Sequence, residues 1–350
     1  MTKFSNHKNN SSLILTHGDS DGVCSGAIAK SAYPDADVYF TSPVGLLDEL
    51  NLAEGYENVI ICDIAVDERH CAKLFEKLHE VASVSDLTYI DHHPLPERCV
   101  RADWLHHNTA VCASELTYKV FRKRLNRDMR RVAIYGAIGD YYDNTPSVKE
   151  WLRDWDKRSL FFQAGTLIQA LIYSGRNYDF KRKLIVPLSH DKIPTEIPTV
   201  LKFAKEGADL EEKLRIHVKH EVRALNNLAY VVDPNGYMSK SAIYAASYGQ
   251  RDVGISAEFR HKRNAYDMSL RSRNKDSVDL NRLLRRIAPA FGGNGGGHAA
   301  AAGARIPKES FNGFIHELDK AIGLEKRKVA ELRTLNQEHN KNGDKDGKKG

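Results

Sequence analysis

Three short apolar stretches of this chain break off in groups that hold cations. His17, Asp19 and Asp21 follow LILT in LILTHGDSDG, Asp63 follows NVIIC, and Asp91, His92 and His93 follow LTYI. A further acid, Asp140, stands after the apolar run that ends at Gly139. Carboxylate and imidazole donors without thiolate suit Mn²⁺ or Mg²⁺ better than structural zinc. Four Asp with two or three His exceed what one ion can use. A carboxylate bridging two ions about 3.5–4 Å apart would use them all and would activate water for attack at phosphorus. Two cations also explain how so many acids share one edge without several becoming protonated. Asp63 or Asp140 alone reads as an ordinary polar loop residue, whereas H-x-D-x-D-G on one strand end with D-H-H on another is a specific combination.

The elements that must position these groups alternate in type. Residues 13–16, 37–40, 58–62 and 87–90 read as buried strands, and helices are expected over 23–32, 46–53 and 68–81, the last with Cys71, Leu74, Phe75 and Leu78 at three- and four-residue spacing. Short strands alternating with helices mean βαβ units and a parallel sheet, so the fold class is α/β. In such sheets ligands bind at the carboxyl ends of the strands, where these acids and histidines fall. Residues 110–125, 129–138 and much of 147–175 read as helical, with Trp151 and Trp155 in the core. Three prolines in 184–198 suggest a boundary, and 199–231 a long charged helix connecting two domains. Further on, 242–248, 252–259 and 266–270 read as strands, 280–287 as a helix, and 304–322 as a strand–helix pair after the glycine-rich FGGNGGGHAAAAGA. The expected domains are 1–190, a helical connector over 191–230, a smaller α+β domain over 231–325 that forms a cleft with the first, and a charged, disordered tail over 326–350.

At 350 residues, 41% of them apolar and 28% charged, the chain has room for two cores of soluble type. A formal charge of +6 suits a polyanionic partner without requiring one. The polar N-terminus lacks the apolar region of a signal peptide, no apolar run approaches the ~20 residues of a membrane span, and five cysteines never form C-x-x-C. A cytoplasmic protein with reduced thiols and no membrane partner is the expectation.

HGDSDG, the acid of ICD, the DHH of YIDHH and the acid of IGD resemble, in order, the four motifs of the DHH phosphoesterase superfamily. The segment YDMSLRSRNKDSVDLNRLLRRIAPAFGGNGGGHAAAAGARI is similar to the DHH-associated C-terminal domain of the RecJ-like and NrnA-like branches. The resemblance implies that His17, Asp19 and Asp63 hold one manganese while Asp21, Asp63, His92 and Asp140 hold the other, with Asp63 the bridge and Mg²⁺ the other candidate metal. Asp143 is the substitute for Asp140. Asp91 would orient its neighbours, and His93 would face the scissile phosphate as a catalytic group. In the second domain Arg271 and His298 would bind substrate phosphate or a terminal nucleotide, helped by the backbone of Gly295, Gly296 and Gly297. A guanidinium matches phosphate oxygens in pairs, and glycine lets backbone N–H groups approach closely. Asn294 splits the glycine run and lengthens it relative to the family's usual form.

Lys181-Arg182-Lys183 reads as a solvated face, and the loop pair His106-His107 as no metal site. Residues 251–286 carry about twice as many Lys and Arg as Asp and Glu and could track a nucleic-acid backbone. Tyr244, Tyr248, Phe259 and Tyr266, placed on strands there, belong mostly to the core. The implied activity is a two-metal phosphodiester hydrolase, an exonuclease or oligonucleotidase acting on single-stranded DNA or RNA and favouring short substrates. The alternatives are a phosphodiesterase for cyclic dinucleotides or small bisphosphorylated nucleotides, and a nuclease whose main role is binding a helicase or replisome protein.

Overall fold

The computed structural model describes residues 11–96, 102–274 and 278–346. The polar N-terminal decapeptide, Cys99 and the last four residues of the expected tail lie outside them. The chain divides into two compact units, residues 1–208 and 209–350. In the first, β1 (Ser12–Thr16), β2 (Asp37–Phe40), β3 (Asn58–Cys62), β4 (Asp86–Asp91) and β5 (Leu105–His107) form a sheet of order β2-β1-β3-β4-β5 with every pairing parallel. The fold class is α/β, as the alternation requires. β5 was expected as loop; its three residues extend the sheet because Tyr89 pairs with Leu105 and Asp91 with His107.

Strand periodicity divides the apolar residues between two cores. Ile14, Ile60 and Ile90 face a layer built by α1 (Ser20–Ala32) with helices from later in the unit, while Leu13, Leu15, Val59, Ile61 and Tyr89 face the other side. That second face is covered by α2 (Leu46–Glu49) and α3 (Cys71–Val84), which supplies Cys71, Leu74, Phe75 and Leu78. The first layer is completed by α4 (Ala113–Phe121), α5 (Arg130–Gly139), α6 (Pro146–Trp151), α7 (Lys157–Ser174) and α8 (Tyr178–Ser189). Trp151 is buried there against Tyr118 (ring centroids 5.1 Å apart), with Trp155 packed at the core's margin. Pro187 lies inside α8, so the proline-rich stretch does not break the chain at 184. The boundary between the units falls within α9 (Pro198–Glu221).

The long helix expected over 199–231 ends at Glu221, and the residues after it are strands. β6 (Arg223–Ala224) and β7 (Leu228–Val232) belong to the second sheet, whose order is β10-β11-β9-β8-β7-β6. LAYVV ends in two β-branched valines after an aromatic residue, a better strand than helix, and β7 pairs in parallel with β8 (Val253–Arg260). The remaining members are β9 (Ala265–Ser272), β10 (Asn294–Gly297) and β11 (Ala301–Pro307), joined antiparallel. Residues 242–248, expected as a strand, lie in α10 (Met238–Tyr248), so Tyr244 and Tyr248 are helical. The reason is size: Ser241, Ala242, Ala245 and Ala246 make one small buried face at helical spacing, and Gly254 lets β8 approach it, since a Cβ there would lie 1.9 Å from the Ala242 carbonyl oxygen. α11 (Leu280–Ile287) and α12 (Phe311–Asp346) complete this unit's core through Leu280, Leu283, Leu284, Phe314, Ile315 and Leu318. α12 continues as far as Asp346 through residues expected as a disordered tail. EKRKVAELRTLNQEHN is charged, but it is composed mainly of good helix formers.

Candidate metal centre

The cluster is assembled where β1, β3 and β4 end. Asp19 caps α1, its Oδ1 accepting from the Gly22 N–H (2.9 Å), so the helix starts at Ser20 and Asp21 lies in its first turn. Gly22 is required by the tight return of the chain, because a Cβ there would lie 2.4 Å from the His17 carbonyl oxygen. Asp21 is buried and bonded on both oxygens: Oδ2 accepts from Ala113 N–H (2.7 Å) and Oδ1 from Ser114 N–H (3.0 Å). These are free donors of the first turn of α4, whose positive end faces the carboxylate. Gly136 on α5 makes room for this arrangement, since a Cβ there would lie 2.7 Å from Asp21 Oδ1.

Asp63 is the centre of the group. It is 1% exposed, its φ of 58° is in the left-handed region that Asp and Asn tolerate, and neither carboxylate oxygen has a hydrogen-bond donor among the described residues. Its Oδ1 lies 3.4 Å from His92 Nε2 and 3.9 Å from His93 Nδ1, and its Oδ2 lies 4.0 Å from His17 Nδ1. His92 Nε2 also stands 3.4 Å from Asp140 Oδ2 and 3.8 Å from Asp21 Oδ2. Three overlapping triads result, His17-Asp19-Asp63, Asp63-His92-His93 and Asp21-His92-Asp140, with ligand atoms within 4.8 Å of one another in each. Asp140 is thus the acid next to His92, and Asp143 belongs to none of these triads.

The electrostatics follow from crowding. Burial, then the charges of Asp19, Asp21, Asp91 and Asp140, push the Asp63 carboxyl well above its ordinary value. Burial lowers His92, while the Asp19 carboxylate 2.8 Å away raises His17. His93 is raised: burial acts against its charge, but the bond from Nδ1 to Asp91 Oδ1 (2.8 Å) and the Asp91 charge prevail. A buried carboxylate without donors, ringed by acids and beside the His92 imidazole whose charge burial disfavours, fits divalent cations, which supply the missing positive charge.

Two neighbours were not legible as site residues. Lys181, expected on a solvated face, is buried. Its Nζ donates to the Gly18 carbonyl oxygen, beside the Tyr178 ring (5.7 Å to the centroid). Successive helix residues are turned by about 100°, so one of three cations in a row can face inward while the others stay in water. His107 donates from Nε2 to the His93 carbonyl (2.6 Å), which makes it a support for the histidine pair; neither it nor His106 belongs to the triads.

In the second unit Arg271 on β9 pairs across the sheet with Ala301, and the His298 N–H donates to the Ala301 carbonyl (2.8 Å), which brings both residues to the β10–β11 turn. The glycine run is an edge strand. Gly295 packs where a Cβ would lie 3.0 Å from Leu284 Cβ, and Gly296 where it would lie 3.2 Å from Asn281 Oδ1. The Gly297 N–H donates to Asn281 (3.1 Å), and Asn294 opens the strand opposite Arg305. Close packing on α11 therefore accounts for glycine at 295 and 296. Part of the basic stretch is paired within this unit: Arg260 with Asp267, which Arg305 also contacts, and Arg282 and Arg286 with Glu325. Phe259 and Tyr266 pack together (5.2 Å), and Tyr244 donates to Glu211.

The DHHA1 domain family matches residues 227–324, which contain Arg271 and His298. Solved structures share the fold of about nine-tenths of the chain. The DHH domain of a protein described as belonging to a family of ribosomal proteins has a TM-score of 0.68 at 15% identity, covering 89% of this chain and 86% of its own. The chain is thus similar to the DHHA1 domain family over residues 227–324 and to a solved DHH domain in its fold. RecJ from Thermus thermophilus, in complex with Mn²⁺, has a TM-score of 0.63 at 14% identity over 89% of this chain, which spans only 52% of that RecJ. A pGpG-specific phosphodiesterase from Vibrio cholerae has a TM-score of 0.59 at 17% identity and is covered over its entire length, against 90% of this chain. Among curated protein sequences none matches. The acid and histidine cluster lies in the first unit, outside the residues that the DHHA1 family matches, and among the described residues no helix is long and apolar enough to cross a membrane.

Proposed function

We propose that this protein is a divalent-metal phosphodiesterase that hydrolyses short single-stranded DNA or RNA, with Mn²⁺ as its preferred ion. The observation that carries the reading is Asp63, a buried carboxylate lacking donors and shared by two of the triads. His17, Asp19 and Asp63 would hold one ion, and Asp21, Asp63, His92 and Asp140 the other. When bound, such a pair supplies Lewis-acid charge to phosphoryl oxygens and a nucleophilic water at neutral pH.

The chain's own residues do the rest. Asp91 fixes the proton of His93 on Nδ1 and keeps the imidazolium available, so that Nε2–H can donate to a phosphate oxygen. The backbone donors of α4 hold the Asp21 carboxylate in its orientation, and Lys181 fixes the turn that carries His17 and Asp19. In the DHHA1 domain Arg271 and His298, with the backbone of Gly295, Gly296 and Gly297, would bind the substrate's phosphate or terminal nucleotide. The preference for short substrates is supported by the full-length likeness to an enzyme described as a pGpG-specific phosphodiesterase, against a likeness to half of the longer RecJ.

The test is hydrolysis of 5′-labelled single strands of two to twenty nucleotides with Mn²⁺ or Mg²⁺, using wild type, Asp140→Ala and His298→Ala. Asp140→Ala should abolish turnover, and His298→Ala should raise KM most on the shortest strands. Full activity of Asp140→Ala would contradict the metal assignment. Faster turnover of a cyclic dinucleotide than of any linear strand would contradict the substrate assignment.

A further inference from the structure

Helix α5 delivers Asp140 to the cluster and then stops in an unusual way. Asp140 is its cap, the Tyr141 N–H donates to the Ile138 carbonyl (3.4 Å), and the Tyr142 N–H donates to the Ala137 carbonyl (2.8 Å). These are the paired bonds of a Schellman ending, whose left-handed residue is ordinarily glycine. Here it is Tyr141, with a φ of 61°. A residue with a β-carbon adopts that conformation at a cost that glycine avoids. Nothing in the packing repays it, because Tyr141 is 75% exposed and its ring stacks on no other ring among the described residues. Backbone strain of this kind gathers at functional sites.

The three consecutive residues at this helix end are sorted by the turn. Asp140 stands 3.4 Å from His92, Tyr142 packs its ring edge-on to His92 (5.3 Å between centroids), and between them Tyr141 is turned out to solvent. We propose that Tyr141 is the platform on which a nucleobase of the substrate stacks, the base belonging to the nucleotide whose phosphate lies at the cluster. In a nucleotide the base is one sugar away from its phosphate, and Tyr141 is one residue away from Asp140. A single exposed ring offers a face to any base, so the platform selects nucleotides over other phosphodiesters without reading sequence. The inference deepens the phosphodiesterase reading and rests on it for the position of the phosphate.

Two measurements separate the inference from that reading. The first follows quenching of 2-aminopurine in a dinucleotide with Ca²⁺ in place of Mn²⁺, which reports stacking without turnover. The second compares kcat/KM for a linear dinucleotide with that for the same molecule lacking one base. Tyr141→Gly relaxes the backbone, so its thermal stability should equal or exceed wild type, and it should lose the quenching. Its preference for the complete dinucleotide over the abasic one should fall by roughly 10–100-fold, the range that stacking on one ring supplies. Tyr141→Phe should keep both properties. Undiminished quenching in Tyr141→Gly, or an unchanged preference, would overturn the inference. Tyr141-dependent quenching in a protein that hydrolyses neither molecule would uphold the platform and refute the phosphodiesterase reading instead.

Discussion

Substituting Asp63 by asparagine should make the metal-free protein more stable while removing its response to metal. The side chain is 1% exposed, both its oxygens lack donors among the described residues, and burial with four neighbouring carboxylates raises its pKa. Asparagine is of nearly the same size, tolerates the φ of 58°, and offers N–H groups to the surrounding acids. Relieving a buried, unsatisfied polar group is worth about 1–3 kcal/mol. For a domain of this size that is roughly 2–4 °C of melting temperature per kcal/mol. The sign with pH follows from linkage. An acid whose folded pKa is raised contributes stability that is intact below the ordinary carboxylate value and is lost as pH rises through the folded value. The two proteins should therefore melt together near the ordinary carboxylate value, about pH 4, and the variant should lead as pH rises. With Mn²⁺ at about 100 times its Kd the wild type should gain about 2.7 kcal/mol, and the variant far less. Calorimetric melting across pH, with chelator and with Mn²⁺, measures both effects. A metal-free variant that melts below wild type at neutral pH, or one that gains as much from Mn²⁺, would refute the reasoning.

Gly136→Ala places a methyl group 2.3 Å from Ser114 Oγ and 2.7 Å from Asp21 Oδ1 and should cost about 1–3 kcal/mol and weaken metal binding, read by melting and by Mn²⁺ titration; an unperturbed titration would show that metal binding does not depend on the placement of Asp21. Lys181→Met leaves the Gly18 carbonyl without its donor and should cost about 1–3 kcal/mol, whereas Arg182→Met on the same helix should be nearly neutral. Asp91→Asn removes the charge that opposes burial at His93, so its pKa should fall and the alkaline limb of the kcat/KM profile should move to lower pH; an unmoved limb would exclude His93 as the proton holder.

The candidate site was more legible than its surroundings because its residues stand where apolar strands, or in the case of Asp140 an apolar helix, come to an end. His17, Asp19, Asp21, Asp63, Asp91, His92, His93 and Asp140 all interrupt apolar runs, and an interruption is visible in one dimension. Support for them comes from groups whose signal is three-dimensional. Lys181 looks like its neighbours Arg182 and Lys183 until the helix phase is known, and the α4 backbone donors to Asp21 have no side-chain signature. Tyr141 carries its information in a φ angle that composition does not encode. In the fold, the βαβ alternation fixes the first sheet, whereas the small residues of α10 leave its helical period without a strong apolar signal. β7 was absorbed into a helix because LAYVV follows a long charged run without a glycine or proline to separate them.

The central claim is that one cluster holds two ions. Metal-free protein titrated with Mn²⁺ and weighed by native mass spectrometry counts them directly. Two ions per chain are expected for wild type, with the second ion lost in Asp140→Ala and both weakened in Asp63→Asn. A single ion in wild type, or two ions retained in both variants, would contradict the account.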